Sequence, residues 1–529
     1  MTSLRGPRRH LALAALGLIV ALASAQAAAA LSPAQIRGKQ IYLHGTSPSG
    51  AELTAHVGTE GVALPASAVP CASCHGPDGL GRPEGGVIPT DIRWSQLTKS
   101  YGHVHEDGRR HPAFDKASLA RVLRTGLDPA DNRLDQSMPL YTLTDGDMGD
   151  LVAYLTHLET DLDPGVADDR IQVASLLPLQ GGQGALGQAM AQVMLAYFKE
   201  VNARGGIFGR QIDLLAVPYG ASPQATLDNL RMAFQQEGIF ALVGAYTVGM
   251  DEEILDLLRA EGAPLVGPFT LDPGDEIVNA AAFYLYPGFV EQVRALADEA
   301  FKDAAADAAP AVIAGPEGGH VDRLVEAVQS QQGARAEEQL LTVRYPRGDM
   351  DVEAVAERVA ASASDTLFFF GDQADLEPLL TALAEREQSP RVYLLSAFVP
   401  RSLFDAPPAF HHRLFLAYPT LGSDITDTGR SEYENLAQAH ALPPDHLQGQ
   451  IAAYAAAKLL VEGLRRSGRT LTRLALVDAL EALYGYETGV TPPLSYGPNR
   501  RIGARGAHVV AVDLIKKSYE PVGGWHELR

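Results

Sequence analysis

The two cysteines of this 529-residue chain stand together in Cys71-Ala72-Ser73-Cys74-His75, with Gly76 next. Two thiols three positions apart, with a histidine directly after the second, form the spacing that attaches a c-type haem. The chemistry fixes the spacing. Each thiol adds across one vinyl group, and the turn between them carries the imidazole of His75 to the iron as proximal ligand. Two other uses of the pair fit less well. A structural zinc site needs four ligands, commonly a second Cys or His pair, and the chain has no third cysteine. A thioredoxin-like disulfide belongs to a strand-then-motif pattern, and no strand pattern precedes Cys71. With both cysteines in the motif, no disulfide is expected.

The motif speaks for one module only. A chain of 529 residues is too long for a single core, so two or three domains are expected. Its 46% hydrophobic and 20% charged residues are those of a globular protein. The net charge of −21 is uneven, with −6 over residues 31–163 and −18 beyond them. So acidic a chain repels phosphate backbones and anionic lipid, which excludes nucleic acid and membrane surfaces as partners.

Residues 1–30 read as a secretory signal peptide. Arg5, Arg8 and Arg9 form the basic start, Leu11 to Leu22 the apolar stretch, and Ala23-Ser24-Ala25 or Ala25-Gln26-Ala27 the small-residue cleavage site. An uncleaved anchor is the alternative. No cysteine at the cleavage site offers a lipid anchor, and no later run reaches the roughly 18 apolar residues of a membrane span. A periplasmic mature chain without a membrane span is expected.

Residues 31–163 are expected to hold the haem. Ser32-Pro33-Ala34-Gln35 has the residues of a helix start, and Thr144-Asp145-Gly146-Asp147 opens a second helix through Leu151, Val152, Tyr154, Leu155 and Leu158. Two terminal helices enclosing CxxCH resemble a class I cytochrome c. The resemblance implies that a small residue on the first helix packs on an aromatic of the last, here Gly38 on Tyr154. It also implies a methionine as sixth ligand on a loop before the last helix. Met138, in Gln136-Ser137-Met138-Pro139-Leu140, is the candidate, whereas Met148 falls inside the last helix and suits packing. A Met/His pair closes both axial positions and suits electron transfer rather than oxygen or substrate binding. Two departures from a minimal cytochrome stand out: the long segment 44–70, and His103, His105 and His111 near Tyr101. The histidines read as polar loop residues near the haem edge, with one of them replacing Met138 as ligand the alternative.

Thr160-Asp161-Leu162-Asp163-Pro164-Gly165 reads as a linker. Over 164–529 strands alternate with helices: strands at 171–176, 211–217, 240–244, 311–314, 366–370 and 392–396, helices at 188–203 and 222–237. This is the pattern of α/β domains with largely parallel sheets. Asn202-Ala203-Arg204-Gly205-Gly206-Ile207-Phe208-Gly209-Arg210 resembles the N-x-x-GG-I-x-G turn of type I periplasmic substrate-binding proteins, the branched-chain amino acid receptor family. Leu177-Pro178-Leu179 with Gly181, Gly184 and Gly187, then Leu242-Val243-Gly244, Ala263 to Pro268 and the helix Gln450 to Gly463, follow that family in order. The expected architecture is multidomain: an all-α cytochrome c domain followed by a bilobal α/β periplasmic-binding-protein fold of type I. By this resemblance the ligand-binding candidates are Tyr246, Thr247, Phe269, Thr270, Glu317, Asp372, Gln373 and Phe398. The amino-acid receptors carry a run of hydroxyls where this chain has Ala245-Tyr246-Thr247-Val248-Gly249-Met250. An amino acid ligand is therefore less expected than a small aromatic or alcohol-like one, or no ligand.

No nucleophile elbow, P-loop, HExxH or dinucleotide fingerprint occurs, so no enzyme is expected. The leading expectation is one covalent haem c, an electron carrier joined to a solute-binding module. Such fusions resemble components of PQQ-dependent alcohol dehydrogenase systems, which makes a quinoprotein dehydrogenase the expected redox partner. The alternatives are a solute receptor of an ABC transporter, and a ligand or redox sensor with an accessory haem.

Overall fold

The computed structural model describes residues 31–81, 86–105, 108–273, 281–302, 309–332 and 340–528. The expected signal peptide lies outside them. The chain divides into two compact units, Met1–Asp161 and Leu162–Arg529.

In the first unit, α1 (Pro33–His44) opens with a capping box. The Ser32 hydroxyl accepts from the Gln35 backbone N–H, and the Gln35 side chain accepts from the N–H of Ser32. Two short strands follow, β1 (Thr54–Val57) and β2 (Val62–Pro65), then α2 (Cys71–His75), which is the motif itself. Next come α3 (Trp94–Leu97), a two-residue ladder β3 (His103–Val104) with β4 (Arg110–His111), and α4 (Lys116–Thr125). The unit ends with β5 (Leu140–Thr142) and α5 (Asp145–Leu155). Helix α5 starts where Thr144 Oγ1 accepts from the N–H of Asp147.

Helices α1 and α5 touch backbone to backbone. A Cβ on Gly38 would lie 2.0 Å from the carbonyl oxygen of Asp150 and 2.7 Å from Cβ of Tyr154. Only glycine permits that approach. Beside it Arg37 pairs with Asp150 at 2.6 Å, and the Tyr42 and Tyr154 rings meet at 5.6 Å.

This unit is not purely helical, and strands do precede the motif. The long segment 44–70 forms an antiparallel hairpin, and β1 also pairs with β5, giving the order β2-β1-β5. Four-residue strands with one buried position, Ala55, carry no readable alternation, so the helical expectation overlooked them.

The second unit has two sheets. The first lobe contains β6 (Arg170–Leu177), α6 (Gly184–Ala203), β7 (Gln211–Pro218), α7 (Pro223–Glu237), β8 (Leu242–Val243), α8 (Asp251–Glu261), β9 (Leu265–Val266) and β10 (Ala282–Phe283). Its parallel strands run in the order β10-β9-β8-β6-β7. The glycine turn after α6 is explained by its contacts. Asn202 donates to the Ile212 carbonyl at 2.9 Å and accepts from the Ile212 N–H at 2.8 Å, tying the helix end to β7. Gly206 adopts φ 65°, and a Cβ there would strike the Arg210 carbonyl at 2.0 Å.

The second lobe comprises α9 (Phe289–Phe301), β11 (Ala311–Pro316), α10 (Gly319–Gln332), β12 (Leu340–Tyr345), α11 (Val352–Ala361), β13 (Thr366–Phe369), α12 (Gln373–Glu385), β14 (Arg391–Leu395) and β15 (Leu414–Tyr418). Helices α13 (Asp427–His440), α14 (Leu447–Arg466) and α15 (Arg473–Glu481) return to the core of the first lobe, where Tyr433, Tyr454 and Leu476 pack with Val193 and Phe283. The chain then crosses back into β16 (Gly506–Asp513) and β17 (Ser518–Glu527), completing the sheet β12-β11-β13-β14-β15-β16-β17. The strands up to β15 are parallel and the last two antiparallel. Two crossings run side by side, with the Tyr284 N–H donating to Arg501 and the Gly503 N–H donating back to Tyr284. Near the third, the His508 imidazole meets Asp424 at 2.8 Å.

Candidate functional site

Cys71, Cys74, His75 and Met138 line one cavity of about 630 Å³ in the first unit. Much of the surrounding wall is apolar, with Leu97, Leu119 and Leu123 among the residues forming it. The motif is held from two sides. The Tyr42 hydroxyl donates to the Gly76 carbonyl at 2.5 Å, and the Tyr141 hydroxyl donates to the Val69 carbonyl at 2.7 Å. His75 is buried, and its Nδ1 lies 3.0 Å from the Thr90 carbonyl oxygen. Burial lowers its pKa, so the ring is neutral at physiological pH. A neutral ring that donates from Nδ1 leaves its lone pair on Nε2, the arrangement a metal-binding imidazole needs.

Burial pushes the Cys71 thiol up to about 11. Such surroundings disfavour a thiolate, as zinc binding or disulfide exchange would require, and suit an uncharged thioether. The donor set and the apolar chamber therefore fit a covalently attached haem. Met148 lies elsewhere, buried on α5 in the unit's core.

His103, His105 and His111 line the same cavity. The β3–β4 ladder sets His103 opposite His111, and the three rings stand 5.1 to 5.9 Å apart. His105 Nε2 and His111 Nε2 are 2.9 Å apart, so one donates and the other accepts. The polar-loop expectation placed these residues near the haem edge but did not foresee that they stack.

In the second unit the cleft candidates follow the carboxyl ends of parallel strands, where open α/β sheets bind ligands. Tyr246 and Thr247 follow β8, and Phe269 and Thr270 follow β9. The Tyr246 and Phe269 rings stack at 5.7 Å and 12°. The threonines are joined by a residue that sequence reasoning missed. Thr247 Oγ1 donates to Asp251 Oδ1 at 2.5 Å, and Thr270 Oγ1 donates to Asp251 Oδ2 at 3.0 Å. Burial, reinforced by the charge of Asp272, raises the Asp251 carboxyl to about 6 against the pull of both hydroxyls. Asp251-Glu252-Glu253 reads in sequence as an acidic helix start, which hid this contact.

In the other lobe Glu317 follows β11, Asp372 and Gln373 follow β13, and Phe398 follows β14. Glu317, Asp372 and Gln373 are exposed. Phe398 packs on Phe289 at 4.9 Å, with the His320 ring edge-on to both. The lobes meet where Asp272 pairs with Arg323 at 2.5 Å and approaches His320 at 3.4 Å. These partners were also missed, since 48 to 51 residues separate them from Asp272.

The model of the periplasmic binding protein family matches residues 170–518. The chain belongs to the periplasmic binding protein family. A cytochrome c model matches residues 62–159, so this binding protein carries a cytochrome c domain ahead of its two lobes. A cytochrome c domain with CxxCH implies covalent haem c. The chain is 24% identical over 328 residues to the chemotactic signal transduction system substrate-binding protein BasB of Halobacterium salinarum, covering 60% of this chain and 76% of that one. It is 28% identical over 103 residues to Leu/Ile/Val-binding protein homolog 2 of Brucella abortus, a match spanning 20% of this chain and 28% of that relative. Among solved structures, the fold is shared with a branched-chain amino acid ABC transporter protein of Thermus thermophilus with bound valine. That pair has a TM-score of 0.51 at 15% identity, over 68% of this chain and 97% of the other. A fatty acid ABC transporter substrate-binding protein of Thermomonospora curvata gives a TM-score of 0.51 at 16% identity, over 70% and 95%. Among the described residues no helix is long and apolar enough to cross a membrane.

Proposed function

We propose that this binding protein is an exported monohaem electron carrier joined to a solute-binding module, with a signal peptide in 1–30, the haem domain in 31–163 and the binding lobes in 164–529. The observation that carries the reading is the shared cavity of Cys71, Cys74, His75 and Met138. When bound, the haem supplies a one-electron redox centre. Cys71 and Cys74 would tether it, His75 would offer Nε2 to the iron while the Thr90 carbonyl holds the ring, and Met138 would supply the other protein ligand. With His75 and Met138 both holding the iron, the site would pass electrons and leave no position open to substrate, a role in electron transfer rather than catalysis. A PQQ-dependent alcohol dehydrogenase is the redox partner that this reading favours, by analogy of architecture.

The test combines spectra and turnover. The oxidised protein should show the near-infrared methionine–iron band, and Met138→Ala should lose it while keeping covalent haem. Persistence of the band in that variant would overturn Met138 as ligand. A purified quinoprotein alcohol dehydrogenase should reduce the full chain, and failure of any such enzyme to do so sinks the partnership. A second reading, a solute receptor serving a permease or a chemosensory partner, is favoured by the likeness to BasB. It gives the haem no task, and a haem that no dehydrogenase reduces would favour it.

A further inference from the structure

A cleft that captures an acid must present donors that are not already spent. In the first lobe the threonine hydroxyls after β8 and β9, those of Thr247 and Thr270, both donate to Asp251. Each oxygen of that carboxylate takes one of them, and the carboxylate sits in the first turn of α8, where a helix favours negative charge. The hydroxyls and the helix end are thus satisfied from within the chain. The cationic groups on the facing lobe are similarly engaged, since Arg323 and His320 both approach Asp272. Beside these polar groups stand aromatic ones: the stacked Tyr246 and Phe269, and Phe398 on Phe289.

We propose that Asp251 sets the ligand class of the cleft: its carboxylate fills the position an acidic ligand needs, so the cleft takes uncharged organic solutes and rejects carboxylates. The proposal rests on the reading of the second unit as a solute-binding module and deepens it. Two effects act together. A ligand carboxylate entering the cleft meets like charge on Asp251, and it finds the two threonine hydroxyls already committed. An alcohol of the same size meets neither penalty, and its body can lie against the aromatic rings. Discrimination of this kind works by building a repulsive element against the wrong ligand.

The experiment uses the full haem-loaded chain and a matched series of benzyl alcohol, benzylamine and benzoate, with L-leucine as an amino acid. Binding is read by calorimetry near neutral pH on the native chain, on Asp251→Asn and on Asp251→Ser. The native chain should bind benzyl alcohol more tightly than benzoate, and each variant should shift the benzoate-to-alcohol affinity ratio towards benzoate by about tenfold or more. Two variants are used so that a disturbance of α8 in one of them leaves the test standing, and an unchanged haem spectrum and circular dichroism confirm that a variant is folded. Tight binding of benzoate or leucine by the native chain overturns the proposal while leaving the solute-binding reading intact, as does a ratio that both folded variants leave unchanged. Preference for benzylamine over the alcohol overturns the uncharged class in favour of cations. Absence of binding by all three proteins overturns the solute-binding reading and this proposal with it.

Discussion

Gly38 and Asp251 belong to different units, and each is held at a position that its neighbours dictate. At Gly38 the dictate is steric. Gly38→Ala must push α1 away from α5, and overpacking of this kind costs about 1–3 kcal/mol. Denaturant unfolding followed at the haem absorbance should show that loss, with no change in the binding lobes. At Asp251 the dictate is electrostatic. Its carboxyl is raised to about 6, above the ordinary aspartate range, so the folded chain holds this proton more tightly than the unfolded chain does. The stabilisation from protonation is full below about 4 and is lost as pH rises through about 6. Asp251→Asn does not titrate. The melting temperature of the variant relative to the native chain should therefore rise between pH 4 and 6 and level off above. A flat difference over that interval would contradict the raised carboxyl.

At the scale of single elements, legibility follows how local the cause is. The start of α1 was readable because Ser32 and Gln35 satisfy each other within one turn. Thr144 at the start of α5 is the same kind of signal, and Thr144→Ala should cost about 1 kcal/mol in unfolding free energy. The CxxCH motif was readable because covalent chemistry fixes its spacing, and Pro139 marks the extended loop that carries Met138 to the wall of the same cavity. The hairpin at 54–65 was not, since its strands are four residues long and rest on β5, about 80 residues further on. The stacking of His103 on His111 arises from a two-residue ladder that no periodicity announces. Asp251 escaped notice because one of its partners, Thr270, stands on another strand's loop. In each case the missing information is a pairing between separate segments, which a single sequence carries weakly.

For the whole molecule, the two units have separate cores. The buried residues of the haem unit, Tyr42, Leu151 and Tyr154 among them, form one cluster, and the binding lobes are built around others. Calorimetry of the intact chain should resolve two unfolding transitions. Gly38→Ala should lower one of them, and a bound solute should raise the other by mass action. A single transition moved by both would contradict this independence.

The contact of Asp272 with Arg323 gives that second unit a property of its own. Both side chains are partly open to solvent, with relative exposures of 19% and 30%, and ions in solution screen such pairs over a Debye length of about 8 Å at physiological salt. A clasp made of charge loosens in brine and tightens in dilute medium, whereas one made of apolar surface would not. Solute should leave the cleft faster as ionic strength rises, and Arg323→Ala should flatten that dependence in stopped-flow release. The time a solute stays in such a cleft would then follow the salt of the surrounding medium.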